Sequence, residues 1–106
     1  MKISKIRVKT NTKDYSIIIG RNIIGKINKI LQDNKLSFEK CLIVTDKNIP
    51  KKFKKLLFTK LKSKKLLNVD IIASERNKNY RTIDRIHEIL FENRFNREDC
   101  VISFGG

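Results

Sequence analysis

Cysteine, histidine and long apolar runs are all scarce in this sequence. Two cysteines, Cys41 and Cys100, are too few to hold a small secreted domain together by disulfides. Each lies in a short apolar run, Cys41-Leu42-Ile43-Val44 and Cys100-Val101-Ile102, which suits buried, reduced thiols. Neither has neighbours at metal-ligand spacing. The single histidine, His87, sits beside Ile83, Ile86 and Leu90, where packing or surface is its ordinary role, and no thiol or second histidine accompanies it as a catalytic partner. No segment approaches the roughly 18 apolar residues of a membrane span. The alternating N-terminus lacks the apolar stretch of a signal peptide. The expected setting is cytoplasmic, with no membrane partner. No internal repeat and no Pro/Gly/Ser-rich linker divides the chain, so residues 1–106 are expected to form a single domain, or one part of one.

Acidic residues are also scarce: 11 against 25 Lys and Arg, for a net charge of +14. Such a balance raises the question of a nucleic-acid or anionic-membrane partner. The lysines, however, are scattered along most of the length, and no dense basic run is interleaved with stacking aromatics. Compositional drift accounts for them, and no nucleic acid is expected. A small basic nucleic-acid-binding module is the alternative, resting on the lysine-rich stretch from Lys51 to Lys65, whose polar face would lie along phosphates.

What is present is a pattern of short apolar segments. Residues 2–9 set Ile3, Ile6 and Val8 against Lys2, Lys5, Arg7 and Lys9, the pattern of a strand with one solvated face. Asn11 to Asp14 supply a turn, and Tyr15-Ser16-Ile17-Ile18-Ile19-Gly20 completes an antiparallel hairpin. Asn22 suits the cap of a helix whose apolar face is Ile23, Ile24, Ile27, Ile30 and Leu31. Cys41 to Val44 reads as a strand covered on both faces. Ile49-Pro50 then opens a helix with Phe53, Leu56, Leu57 and Leu61 on one face. Val69 to Ile72 predicts another buried strand. Ile83, Ile86, Leu90 and Phe91 mark a helix within 80–95, and the run from Cys100 predicts the last strand. Alternating helices and strands after a hairpin imply an α/β fold: a Rossmann-like, doubly wound parallel sheet preceded by an N-terminal β-hairpin.

In such a sheet the loops beyond the carboxyl ends of the strands lie on one edge, where ligands bind. Those loops carry Asp46 and Asn48, then Glu75 and Lys78, then Gly105 and Gly106. An acid there accepts hydrogen bonds from ribose hydroxyls, glycines admit a pyrophosphate to the backbone, and a lysine reaches a phosphate as a point charge. The edge therefore suits a nucleotide. No complete G-x-G-x-x-G motif exists, and Asp46 precedes the glycines rather than following them. Asn48 equally suits a helix cap before Ile49-Pro50, and Asp46 a turn.

Five stretches in register resemble the N-terminal domain of the 3-dehydroquinate synthase family. They are Tyr15 to Gly20, Val44-Thr45-Asp46-Lys47-Asn48-Ile49, Glu75-x-x-Lys78, Asn93-Arg94-Phe95-Asn96-Arg97, and Val101-Ile102-Ser103-Phe104-Gly105-Gly106. The resemblance spans essentially the whole chain. It implies the NAD-binding half of a two-domain lyase, cut at the glycine loop. Asp46 and Asn48 would lie near the adenosine part of NAD, Glu75 and Lys78 in the same cofactor site, and Gly105 and Gly106 at the pyrophosphate. The complete enzyme would use NAD and a divalent metal, zinc or cobalt. It would convert the sugar phosphate 3-deoxy-D-arabino-heptulosonate 7-phosphate to 3-dehydroquinate and phosphate, in the shikimate pathway to aromatic amino acids, as a homodimer. The metal ligands and most substrate-binding residues of that family lie in a later domain, so residues 1–106 alone are expected to be inactive. Other sugar-phosphate cyclases and NAD-dependent polyol dehydrogenases share this half. One departure is Ala73-Ser74, where the family commonly has Asp-Gly before the glutamate.

Overall fold

The computed structural model of the chain describes residues 3–61, 65–72 and 79–105. Strands β1 (Ser4–Lys9) and β2 (Asp14–Ile19) form an antiparallel hairpin in the register Ser4↔Ile19 to Lys9↔Asp14. The Thr10 hydroxyl accepts from the Lys13 N–H at 2.9 Å and closes the turn. A two-stranded ribbon is marginal alone, and alternation decides what each face does. Ile6, Val8, Tyr15, Ile17 and Ile19 share one face and are largely solvated, Ile19 being 55% exposed. Ile3 belongs to the other face with Lys5 and Ile18, near Ile30 of the following helix. The sequence pattern had placed Ile3 with Ile6 and Val8, but an odd and an even residue of one strand point opposite ways.

A 3-10 turn (Ile23–Lys26) leads into helix α1 (Ile27–Asp33). Asn22 enters it with φ 56° and its side chain makes no capping bond, so the predicted cap is instead a left-handed corner. Gly20 just before it is needed sterically: a Cβ there would lie 2.8 Å from Ile23 Cγ2 and 3.2 Å from Ile3 Cγ1.

The main sheet has three parallel strands in the order β4-β3-β5, with β3 (Lys40–Asp46) between β4 (Lys65–Ile71) and β5 (Cys100–Phe104). Helix α2 (Lys51–Lys60) joins β3 to β4, and α3 (Tyr80–Glu92) joins β4 to β5. The first crossover leaves β3 in one direction and the second returns past it in the other. With right-handed crossovers the two helices must then cover opposite faces, and they do. Cys41 and Ile43 pack with Leu57, Leu61, Phe58, Ile24 and Ile27 on the α1/α2 side. Leu42, Val44 and Val69 pack with Ile86, Ile89, Leu90 and Phe95 on the α3 side. Cys41, Leu42, Ile43 and Thr45 are fully buried, as the continuous apolar run of β3 predicts.

Two helix faces differ from expectation. Phe91 is 86% exposed, while Ile89 and Phe95 take the core positions. One step along a helix turns a side chain by about 100°, so Leu90 and Phe91 do not share the buried stripe. On α2, Phe53 is 41% exposed and Phe58 packs inward instead. β4 also starts at Lys65 rather than Val69.

Candidate nucleotide site

The carboxyl ends of β3 and β5 meet where the order of strand addition reverses. Such a point opens a crevice in a doubly wound sheet. Asp46 is the last residue of β3, half-buried. Its Oδ1 accepts the N–H of Asn48 at 3.0 Å, and its carbonyl accepts the N–H of Ile49 at 3.0 Å. The Asp46–Ile49 turn is therefore a tight one, ordered by the aspartate itself. The N–H of Lys47 donates to the Ile71 carbonyl at 2.7 Å and carries the pairing with β4 one residue further. Asn48 is exposed in this turn. The residue immediately before α2 is Pro50, and no side chain caps it, so the turn, not helix capping, is the local role of Asn48.

Gly105 follows β5 at φ 127°. A Cβ at that position would lie 3.0 Å from Asp46 Cβ and 3.1 Å from Ile49 Cδ1. Both the backbone angle and the space demand glycine there. Of the six predicted site residues, Asp46, Asn48 and Gly105 are thus gathered at one point. Glu75, Lys78 and Gly106 lie outside the described residues.

Behind the turn stands a polar network that sequence reading missed. Thr45, fully buried on the α2 side, bonds the Asp70 carboxylate and accepts from Asn68 Nδ2 at 3.0 Å. Lys54 of α2 donates to Asp70 at 2.6 Å. That ammonium, then the Thr45 hydroxyl, holds the Asp70 carboxyl below the usual carboxylate range. The only sequence signal was the Thr-Asp end of β3 facing an Asn-x-Asp in β4, which needs the register to interpret.

A cleft of about 340 Å³ opens at the carboxyl end of β4, lined by Lys47, Asp70, Ile71, Ile72, Arg81, Thr82 and Arg85. Ion pairs among the described residues are Arg7–Asp14, Lys40–Asp99 and Lys54–Asp70, and Lys47 adds a weaker electrostatic pull on Asp70. A larger hollow of about 540 Å³ lies at the opposite end of the sheet, around Leu36, Phe38 and Asp99. It faces the amino ends of β3 and β5, opposite the edge at which ligands bind in such sheets. Among the described residues no three His, Cys, Asp or Glu side chains converge as metal ligands, and no helix is long and apolar enough to cross a membrane. Burial pushes the Cys41 thiol up to about 12 and raises that of Cys100, its neighbour across β3 and β5.

No protein-family model matches the chain. A 3-dehydroquinate synthase of Pelagibacter ubique is 45% identical over 106 residues, covering 100% of this chain and 29% of the relative. That of Prochlorococcus marinus is 33% identical over 105 residues, covering 94% of this chain and 29% of the relative. The chain thus spans under a third of the length of these relatives. Among solved structures, 2-deoxy-scyllo-inosose synthase superposes with a TM-score of 0.73 over 92% of this chain and 28% of that one, at 13% identity. The same enzyme complexed with carbaglucose-6-phosphate, NAD+ and Co2+ gives the same TM-score. At that identity the likeness is one of fold.

Proposed function

We propose that this chain, a homologue of the 3-dehydroquinate synthases along its whole length, forms the NAD-holding part of such an enzyme. One observation carries the reading: glycine at the end of β5 is packed against the acid at the end of β3, in the crevice where the sheet reverses. A dinucleotide needs those two features side by side, bare backbone for the pyrophosphate and a carboxylate for a ribose hydroxyl. The absence of a Cβ at Gly105 is what lets the two turns pack this closely.

Asp46 would accept from the adenosine ribose with the oxygen that Asn48 does not use. The Asp46–Ile49 bonds hold that carboxylate in place, and Thr45 with Asp70 anchors the strand end behind it. Glu75, Lys78 and Gly106 belong to the proposed set by the family resemblance. NAD, when bound, supplies a hydride acceptor that is regenerated within one turnover. The described residues offer no ligand set for the divalent metal. On this reading the metal and most sugar-phosphate contacts come from the remaining length of such enzymes. The overall conversion is 3-deoxy-D-arabino-heptulosonate 7-phosphate to 3-dehydroquinate, in aromatic amino acid biosynthesis.

A second reading, another sugar-phosphate cyclase, is favoured by the fold likeness to 2-deoxy-scyllo-inosose synthase. This half leaves the reacting end of the substrate unheld and does not separate the two. The identity to the named synthases favours the first.

The test is titration of the purified chain with NAD+ followed by backbone amide NMR. Weak binding is expected, with shifts at Asp46, Lys47, Asn48 and Gly105 that shrink in Asp46→Asn. Saturation with NAD+ that leaves those amides unmoved overturns the reading. Turnover of the heptulosonate phosphate by the chain alone overturns the division of labour.

A further inference from the structure

Cys41 and Cys100 are the only two cysteines of the chain, and the reading above gives neither a role. They are 59 positions apart in sequence, yet the register of the main sheet pairs them directly, Cys41 of β3 against Cys100 of β5. Both side chains belong to the apolar cluster on the α1/α2 side, so they leave the sheet on the same face. The Cys41 thiol hydrogen-bonds with that of Cys100. Cys41 is fully buried, whereas Cys100 is half-buried and lines the hollow of about 540 Å³ at the amino end of the sheet. The pair is closed on one side and reachable on the other.

Strand spacing decides what two such thiols can hold. Neighbouring parallel strands run roughly 4.7–4.9 Å apart, and in-register side chains on one face stand at about that spacing. A disulfide needs its Cβ atoms about 3.8 Å apart and its sulfurs about 2.05 Å apart, so the strands would have to be drawn together. One metal ion between two thiolates, with bonds of roughly 2.3 Å, spans about 4.6 Å and moves neither strand. The ligands then narrow the ion. Among the described residues no three His, Cys, Asp or Glu side chains converge, so the four ligands of a structural zinc are not assembled. Calcium and magnesium take oxygen instead. Two thiolates and nothing else suit a soft monovalent ion that binds two ligands in line, and Cu(I) is that ion.

We propose that Cys41 and Cys100 form a two-coordinate Cu(I) site across β3 and β5. The ion enters by the hollow, meets Cys100 first and is closed in by Cys41. Two S–Cu bonds form as the two thiol protons leave to solvent, and neither copper nor sulfur changes oxidation state. Burial holds the free thiols protonated, so the site refuses a hard ion that cannot displace those protons. The complex carries one negative charge, on a chain whose net charge is +14. Lys35 and Arg97 line the same hollow, beside Glu98 and Asp99. The site lies at the amino ends of β3 and β5, the far ends from Asp46 and Gly105, and is independent of the dinucleotide reading.

The experiment titrates the purified, fully reduced chain with Cu(I) under anaerobic conditions, against a chromophoric Cu(I) chelator. One ion per chain is expected, with thiolate-to-copper absorption in the ultraviolet. Cu(I) at about 100 times its Kd should raise the thermal midpoint by on the order of 10 °C, because the folded chain alone holds the pair together. Cys100→Ala should weaken binding by more than about 100-fold, beyond the usual cost of losing an outer partner of a metal ligand. Cys41→Val should do the same. An unchanged or lowered midpoint in the native sequence overturns the inference, since the ion is then held by the unfolded chain. One ion shared between two chains overturns it, as does Cys100→Ala binding as tightly as the native sequence. Displacement of the ion by an equal amount of Zn(II) would overturn it too, by showing a site with more ligands than these two.

Discussion

Gly105 lies so close to Asp46 that a methyl group on the glycine would come within 3.0 Å of the aspartate Cβ. The two residues are 59 positions apart in sequence and belong to the turns that follow neighbouring parallel strands. Their contact follows from the strand order. β5 is added beside β3 only because the second crossover passes back over the first strand. The packed pair leaves one wall of the crevice as bare backbone and the other as a carboxylate.

Gly105→Ala should therefore be costly without touching the core. The backbone angle of 127° is one that residues with a Cβ rarely adopt, and forcing it costs on the order of 1–3 kcal/mol. The close approach to Asp46 and Ile49 adds to this. Urea unfolding should show a lower midpoint with an unchanged slope. A loss under about 0.5 kcal/mol, the size of an ordinary surface change, would mean that the glycine is not required there.

How much of this was legible depended on whether a signal was local. The covered strand Cys41 to Val44 was plain, because a continuous apolar run bounded by polar residues has few other uses. β4 was read too short, since Lys65 and Asn68 break its apolar run, yet register with β3 extends it to Lys65. Asp46 and Gly105 were legible as candidates, each at the end of an apolar run. Their contact was not, because it depends on which side of β3 the last strand takes. The Thr45–Asp70–Lys54 network and the Lys47–Arg81–Arg85 cleft were out of reach for the same reason. Asn93-Arg94-Phe95 stands out in the sequence only through the family resemblance, and its local work is to stop a helix.

The Lys54–Asp70 pair predicts an acid limb in stability. Its folded-state carboxyl is held below the ordinary 3.8 by the Lys54 ammonium and the Thr45 hydroxyl. The contribution is therefore complete above the unfolded value and is lost as pH falls through the lower folded value. The Asp70 side chain is 39% exposed, so solvent screening keeps the pair within about 0.2–1 kcal/mol. Asp70→Asn should remove that part of the slope below pH 4 or so, and chemical denaturation at several pH values would show it. An identical acid limb in the variant would assign the slope to other carboxylates.

Cys41 predicts the opposite limb. Its thiol is pushed up to about 12 by burial and the neighbouring Cys100, against roughly 8.5 in an unfolded chain. The folded state thus resists deprotonation. Stability should fall as pH rises above the unfolded value and continue to fall until about 12. Cys41→Val, similar in volume and unable to ionise, should flatten that decline. Native Cys41 should also react slowly with a thiol reagent at neutral pH, because the thiolate is the nucleophile. Labelling of Cys41 as fast as in the denatured chain would show that the site opens readily.

The final prediction concerns how two helices end. After α1, the N–H of Leu36 donates to the Leu31 carbonyl at 2.9 Å and that of Lys35 to Gln32 at 3.0 Å. After α3, Phe95 donates to Leu90 at 2.9 Å and Arg94 to Phe91 at 3.1 Å. Both are the paired bonds of a Schellman stop, and both put a residue at φ 56°, Lys35 in one and Arg94 in the other. Glycine is the usual occupant because it has no Cβ to crowd the carbonyl. Asn34 and Asn93 reinforce each stop by donating from Nδ2 to Ile30 at 2.7 Å and to Ile89 at 2.8 Å. Lys35→Gly should relieve the left-handed strain, about 1 kcal/mol, and keep every bond. Arg94→Gly gains less. Lys40 Nζ donates to the Arg94 carbonyl at 2.7 Å and lies 5.8 Å from the Phe95 ring, contacts that a looser backbone would weaken. Both variants should raise the thermal midpoint, Lys35→Gly by more. A lowered midpoint for Lys35→Gly would show that the unfolded chain's gain in freedom outweighs the strain relieved.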